Sequence, residues 1–465
     1  MEGEVQFEGL AWIDNIFGPE PKWTVEPDLK AIEQMIQSLR PSSTVQVTFL
    51  VQGGFNKIYD VNIDNEVFIM RVSLPVDPYY KTMSEVSTVR WISRKANIPL
   101  PQIITYQSSR DNPIGFEWIL MTKMPGNPVG DLWRSLPFSA KTGLVEAFAD
   151  YASCLFRNQL QGIGNIFEAP FTHDSTVAKT TWPSGNSAHS VKSTISAGED
   201  GPGVLPDLDS PNDASSDVRS PDVGRMVGMH SFWGSNIIQD VPRGPFGSSA
   251  DWIASRLSLS EKDCESTLKN LPSGELERRD KNKADDATRT LEIVRKLQTL
   301  LPTVFPSAED HPEPSIMVHD DLSSQNILVN DAGDLTAVLD WECVSALPVW
   351  KACDYPEFLK DKTRQEKPEV GHYELGEDGE PTELYWEHLL DYEVTLLRDV
   401  FIEKMKILEP AWVDVFNTSE RQRDFDIAVE NCDNVFAARH IRAWVDDITA
   451  GVDSPRSLCD RIDGV

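Results

Sequence analysis

IMVHDDLSSQNILVNDAGDLTAVLDW, running from Ile316 to Trp341, sets polar residues between apolar runs. His319 and Asp321 follow Ile316-Met317-Val318. Asn326 precedes Ile327-Leu328-Val329, and Asp340 closes Leu335-Thr336-Ala337-Val338-Leu339. Asn330-Asp331-Ala332-Gly333-Asp334 has turn composition. The stretch reads as loop, strand, turn, strand, with acids at both ends of a hairpin. Asp321 and Asn326 are five apart, and Asp340 lies fourteen beyond Asn326.

That spacing suits phosphoryl transfer, which needs a cation on the phosphates and an oxygen to receive the acceptor's hydroxyl proton. Magnesium favours hard oxygen ligands, commonly one or two carboxylates plus substrate phosphates. Asn326 and Asp340 could hold it from the two ends of the hairpin, with Asp321 facing the hydroxyl. His-x-Asp alone is an ordinary polar turn. The whole pattern, His-x-Asp-x-x-x-x-Asn, apolar strand, glycine turn and Asp-Trp-Glu, is far more specific.

HDDLSSQNILV followed by VLDWE resembles the catalytic and metal loops of the aminoglycoside phosphotransferase and choline-kinase-like family, which has the protein-kinase-like fold. The resemblance implies Asp321 as catalytic base, Asn326 and Asp340 as magnesium ligands, His319 as a brace for the loop, and ATP as donor. Asp320 stands where protein kinases carry Arg, and Trp341-Glu342 where they carry Phe-Gly. Both departures favour a small-molecule acceptor, and no Ala-Pro-Glu closes a segment after Asp340.

Upstream, the period changes to two from Thr44. Val45, Val47, Phe49 and Val51 alternate, Gln52-Gly53-Gly54-Phe55-Asn56 interrupts, and strands resume at Ile58–Ile63 and Val67–Val72. Adjacent glycines let backbone N–H groups approach a phosphate, so Gly53, Gly54, Phe55 and Asn56 form a candidate nucleotide loop. Arg71 is a lone cation in an apolar strand and requires a partner. The family resemblance aims this position at the ATP phosphates, paired with an acid on the next helix. Glu85, within a helix expected over 83–95, is that acid. Arg in place of the commoner Lys still grips phosphate through two N–H groups. The apolar strand 115–124 would lead, by the same resemblance, to a hinge where Thr122 to Met124 meet the adenine.

The expected fold is α+β and two-lobed. A small antiparallel-sheet lobe spans 41–125 and a mainly helical lobe 126–465, after an extension over 1–40. The helices are expected over 28–39, 139–160 (capped by Ser139), from Ser248 or Ser249 to Leu257, 285–301, 383–406 and 421–448. The ERRDKNK run at 277–283 reads as a solvated stretch. Residues 172–222, rich in Ser, Pro, Gly and Asp, bury too little apolar surface to order and read as a disordered insertion. The Pro-Arg-Gly-Pro-Phe element around Arg243 resembles a fungal branch of the family, and Arg243 reads as a turn contact.

The chain has 465 residues, 40% of them hydrophobic, and a net charge of −31. That charge argues against nucleic acid or an anionic membrane surface. It is kinder to a cationic acceptor, for which Glu342, Trp350, Asp354 and Tyr355 are candidate contacts. Six scattered cysteines signal neither zinc nor disulfides. The acidic N-terminus resembles no targeting signal and no apolar run spans a bilayer, so a cytoplasmic protein is expected. The leading expectation is a kinase moving the γ-phosphoryl of ATP to the hydroxyl of a small molecule. The alternative is a catalytically inactive kinase-fold nucleotide-binding or scaffolding protein. Neither the acceptor's identity nor the oligomeric state is written in the sequence.

Overall fold

The computed structural model describes residues 7–15, 18–168, 221–272, 277–306, 311–360, 362–377, 379–452 and 456–463. The chain opens with an antiparallel pair, β1 (Leu10–Asn15) and β2 (Gly18–Trp23), followed by α1 (Leu29–Leu39). Asp28 caps α1 by accepting the Lys30 N–H at 2.9 Å. Then come β3 (Val45–Gln52), β4 (Asn56–Ile63), β5 (Glu66–Ser73), α2 (Tyr80–Lys95), β6 (Ile103–Gln107) and β7 (Glu117–Thr122). The strands form one antiparallel sheet in the order β3-β4-β5-β7-β6.

The two-residue period of β5 divides this lobe. Phe68, Met70 and Val72 join Ile32 and Ile36 of α1 in one core. Ile69 and Arg71 therefore point to the other face, where α2 lies with Val86, Val89 and Ile92 beside Ile119. Strand alternation thus aims Arg71 at α2.

The second lobe is built on α3 (Phe138–Arg157), α4 (Ser249–Lys269), α5 (Arg278–Val304), α6 (Glu383–Leu408), α7 (Pro410–Thr418), α8 (Glu420–Glu430) and α9 (Ala438–Thr449). Between α5 and α6 lie β8 (Pro314–Val318), β9 (Ile327–Val329), β10 (Leu335–Val338) and β11 (Ser345–Pro348). β9 pairs with β10 as a hairpin, and β8 with β11. Leu144 and Phe148 of α3, Val394 and Phe401 of α6 and the hairpin's Ile327, Val329 and Val338 share a core that continues across to Ile119 and Met121. A second core joins α4, α5, α8 and α9 through Trp252, Leu297, Phe425 and Trp444.

The architecture is the expected α+β, two-lobed, protein-kinase-like one. Several element boundaries differ from expectation. The α2 helix starts at Tyr80, a turn before Met83. Ser139 caps nothing, because Pro137 occupies the cap of α3. The α5 helix begins at Arg278 and takes in most of the charged run. The helix expected over 421–448 breaks between α8 and α9, where the Asn434 side chain accepts the Phe436 N–H at 2.9 Å. Val435 and Phe436, at this break, are exposed. Of the insertion over 172–222, residues up to 220 lie outside the described residues; Asp222–Val223 pair with Ile166–Phe167.

Candidate active site

The loop 319–326 links β8 to β9 and is tied down at several points. His319 leaves β8 buried, and its Nε2–H donates to the Leu339 carbonyl at 2.9 Å. Burial holds this imidazole below the ordinary His range, which favours the neutral ring. Its ring centroid lies 5.0 Å from that of Trp341. Asn326 donates from Nδ2 to both the backbone carbonyl and Oδ2 of Asp321, at 2.9 Å each. The Asn326 carbonyl accepts the Leu339 N–H at 2.8 Å. His319 and Asn326 thus both grip Leu339, the residue before Asp340. Asp340 itself has φ 59°, left-handed backbone that Asp tolerates better than most residues, and Cys343 has φ 60°. Asp321 is exposed.

Arg71 crosses from the sheet lobe to this loop. Its Nη1 donates to Glu85 Oε1 at 2.9 Å, and its Nη2 to Asp340 Oδ1 at 2.8 Å. The same Nη2 pairs with Glu342. Lys81, also buried, places Nζ 2.5 Å from Glu342 Oε2 and 3.0 Å from Asn56 Oδ1. Asn56 donates from Nδ2 to Glu342 at 2.9 Å. Two cations, Arg71 and Lys81, therefore meet three acids: Glu85, Asp340 and Glu342. Burial would raise the Glu342 carboxyl, but Arg71 and Lys81 hold it down at about 2. Burial lifts Glu85 well above the carboxylate range despite the opposing pull of Arg71, and like-charge repulsion from Glu342 adds to the rise.

Sequence reasoning missed Lys81 and misplaced Glu342. A helix started at Met83 excludes Lys81; moved back to Tyr80, it puts Lys81 four residues before Glu85, on the same face. Glu342 was a candidate acceptor contact, but it turns toward Arg71 and Lys81. The other candidates are engaged too. Trp350 Nε1 donates to Ser249 at 2.8 Å and its ring packs on Phe305, while Tyr355 packs on Phe401 and Phe416. Asp354 pairs with Lys360 at 3.1 Å. Arg243 donates to the carbonyls of Ser231 and Asn236, the expected turn contact.

The glycine turn is closed by the Gly53 N–H on the Asn56 carbonyl at 2.9 Å. Neither Gly53 nor Gly54 has positive φ, and a Cβ on Gly54 would meet nothing within 4 Å. Their own backbone does not require glycine. Phe55 is buried edge-on against Phe232 and Trp233, at 5.2 and 5.9 Å between centroids, and Trp233 in turn meets Trp12. The segment after the insertion and the N-terminal strand pair thus hold the turn. At the hinge, the Thr122 hydroxyl accepts the Gln102 N–H at 2.9 Å, and Met124 follows, partly exposed.

In the helical lobe, Arg256 and Lys351 flank the buried Asp426, with Lys351 Nζ 2.5 Å from Oδ2. Glu430 lies 3.3 Å from Lys351. Asp320 is within electrostatic reach of Lys351 and Lys360. This ion-pair cluster carries both signs of charge.

Asn326 and Asp340 suit magnesium. Among the described residues, Asn326 spends its amide nitrogen on Asp321 and keeps Oδ1, and Asp340 spends Oδ1 on Arg71 and keeps Oδ2. No group of three or more His, Cys, Asp or Glu among the described residues could hold a metal alone. Two protein oxygens completed by phosphates is the arrangement magnesium commonly accepts. No helix among the described residues is long and apolar enough to cross a membrane.

Comparison with known proteins returns curated fungal relatives. A subtelomeric hrmA-associated cluster protein of Aspergillus fumigatus is 27% identical over 25% of this chain and 24% of its own length. The mitochondrial protein called altered inheritance of mitochondria protein 9, from Saccharomyces cerevisiae, is 22% identical over 75% of this chain and 54% of its own. Clavilactone A biosynthesis cluster protein Y of Ampulloclitocybe clavipes is 25% identical over 70% of this chain and 66% of its own. The chain therefore spans a quarter to a half of the first two relatives. Among solved structures, aminoglycoside phosphotransferase APH(4)-Ia aligns at 11% identity and TM-score 0.41, over 94% of this chain and 98% of that one. The GDP complex of wild-type aminoglycoside 2'-phosphotransferase-IIIa aligns at 13% and 0.39, over 94% and 99%. The profile of the phosphotransferase enzyme family matches residues 47–350, a span holding the glycine turn, Arg71 and the whole loop from His319 to Asp340, and the chain belongs to that family.

Proposed function

We propose that the chain is a magnesium- and ATP-dependent kinase for a small molecule bearing a hydroxyl group. The observation that carries the reading is the convergence on Leu339 and Asp340. Arg71, oriented by Glu85, reaches Asp340 from the sheet lobe, while Asn326 joins Asp340's strand to Asp321. An intact set of this kind supports catalysis over a scaffold that has kept only the fold.

In this reading Arg71 and the glycine turn of Gly53, Gly54, Phe55 and Asn56 hold the phosphates, and Thr122 to Met124 border the adenine. Asn326 and Asp340 hold the magnesium, which neutralises phosphate charge when bound. Asp321 is exposed and faces the acceptor side, with Asn326 on its Oδ2 leaving Oδ1 to receive the hydroxyl proton. His319 keeps Leu339, and so Asp340, in place. Most of the rate would come from positioning and charge stabilisation.

The test is to incubate the protein with Mg-ATP and a small-molecule extract and to search by mass spectrometry for phosphorylated species. The control is Asp321→Asn. A species made by the wild type and absent from the control supports the reading and defines the acceptor. Equal products from both would refute Asp321 as the base.

A further inference from the structure

Glu342 Oε2 receives three donors: Arg71 Nη2, Lys81 Nζ at 2.5 Å and Asn56 Nδ2 at 2.9 Å. The ring is closed, because Asn56 Oδ1 accepts from Lys81 at 3.0 Å and from Ser73 at 3.2 Å. Those two donors set the Asn56 amide with its nitrogen toward Glu342. Lys81 is 2% exposed, too deep to serve as a surface charge. Burying an ammonium this completely is costly unless it is paired, and its closest acid is Glu342; Glu85, Asp77 and Glu117 lie within electrostatic reach.

Arg71 carries the conflict. Its Nη1 is committed to Glu85 and its Nη2 is divided between Asp340 and Glu342. A nucleotide phosphate approaching Arg71 must compete with whichever carboxylate holds Nη2 most strongly. Every donor that Glu342 finds elsewhere weakens its hold on Arg71.

We propose that Lys81 is a positioning residue of the nucleotide site: with Asn56, it competes with Arg71 for the Glu342 carboxylate and weakens that acid's hold on the guanidinium, which can then exchange it for phosphate. The proposal rests on the nucleotide-binding reading above. It differs from direct phosphate binding by Lys81, since Lys81 acts only through Glu342. Removing Lys81 should therefore weaken nucleotide binding only while residue 342 is charged.

The experiment is a double-mutant cycle on Mg-ADP affinity by titration calorimetry, with thermal melting of each protein. Lys81→Gln keeps hydrogen-bonding capacity but loses the charge, and should raise Kd about tenfold, the size of one coupled charge pair. In the Glu342→Gln background the same change should alter Kd by less than about threefold. Lys81→Arg should bind within about threefold of wild type. If Lys81→Gln does not fold, Glu342→Gln alone decides: freeing Arg71 Nη2 of its carboxylate should tighten Mg-ADP binding by about threefold or more, and unchanged or weaker binding overturns the proposal. A Kd loss that persists in the Glu342→Gln background overturns the proposal, because Lys81 then touches phosphate or supports the fold. A wild type that binds no Mg-ADP refutes the nucleotide reading itself, and the proposal with it. Wild-type binding with a flat cycle refutes the proposal alone.

Discussion

Replacing Glu117 by Gln should stabilise the protein at pH 8 and not at pH 5. Glu117 is 3% exposed on β7 and accepts the Tyr79 N–H at 2.6 Å, at the start of the helix that carries Lys81 and Glu85. Burial pushes its carboxyl from 4.5 up to about 7, against the opposing pull of hydrogen bonds from Thr82 and Tyr79 and of the Lys81 charge. Below pH 4.5 the group is protonated folded and unfolded, and its contribution to stability is full. As pH rises through 4.5 the unfolded chain ionises first, so stability falls until the folded group ionises near 7. One pKa unit corresponds to about 1.4 kcal/mol, so the loss approaches about 3 kcal/mol by pH 8. Gln does not ionise and its Oε1 still accepts the Tyr79 N–H, although its NH2 adds a donor that costs about 1 kcal/mol if unmet. The stability of Glu117→Gln relative to wild type should rise by about 2 kcal/mol between pH 5 and pH 8. Urea denaturation at both pH values measures it. A difference that is constant or falls with pH would refute the reasoning, and would mean that Lys81 keeps Glu117 ionised at no net cost.

Two further outcomes are expected. Asp340→Ala should weaken ADP binding in magnesium by tenfold or more and leave magnesium-free binding much less affected, which calorimetry with and without the metal would separate; equal loss in both would argue against Asp340 as a ligand. Gly126 has φ +110°, and a Cβ there would strike Thr336 Oγ1 and lie 2.8 Å from the Val329 carbonyl, so Gly126→Ala should cost at least about 2 kcal/mol in denaturant unfolding.

The local grammar of the chain was legible wherever one residue's neighbours in sequence are its neighbours in space. The β9–β10 hairpin, the three strands around the glycine turn and a helix starting at one of the two serines 248 and 249 follow from period, turn chemistry and capping, and Ser248 is the one that caps. So does the side of the sheet on which Arg71 emerges, because alternation within β5 fixes it. The spacing of Asp321, Asn326 and Asp340 pointed to the proposed chemistry, since a short loop and a tight hairpin leave little freedom for where their ends meet. The break between α8 and α9 was hidden, because apolar residues recur through 435 and 436 and only the Asn434 side chain reveals the stop.

Beyond the Arg71–Glu85 pair, tertiary structure alone decided which charges face one another. Asn56 and Glu342 are 286 residues apart yet hydrogen-bonded, and Arg71 reaches Asp340 across 269. No periodicity specifies such a pair: a buried acid reads the same in sequence whether its cation comes from the next turn or the other lobe. Sequence determined the strand, the loop and the residue types that phosphoryl transfer requires. The packing of two lobes determined that Glu342 meets Arg71 and Lys81, because that pairing depends on where Lys81 and Asn56 arrive from elements far away in the chain.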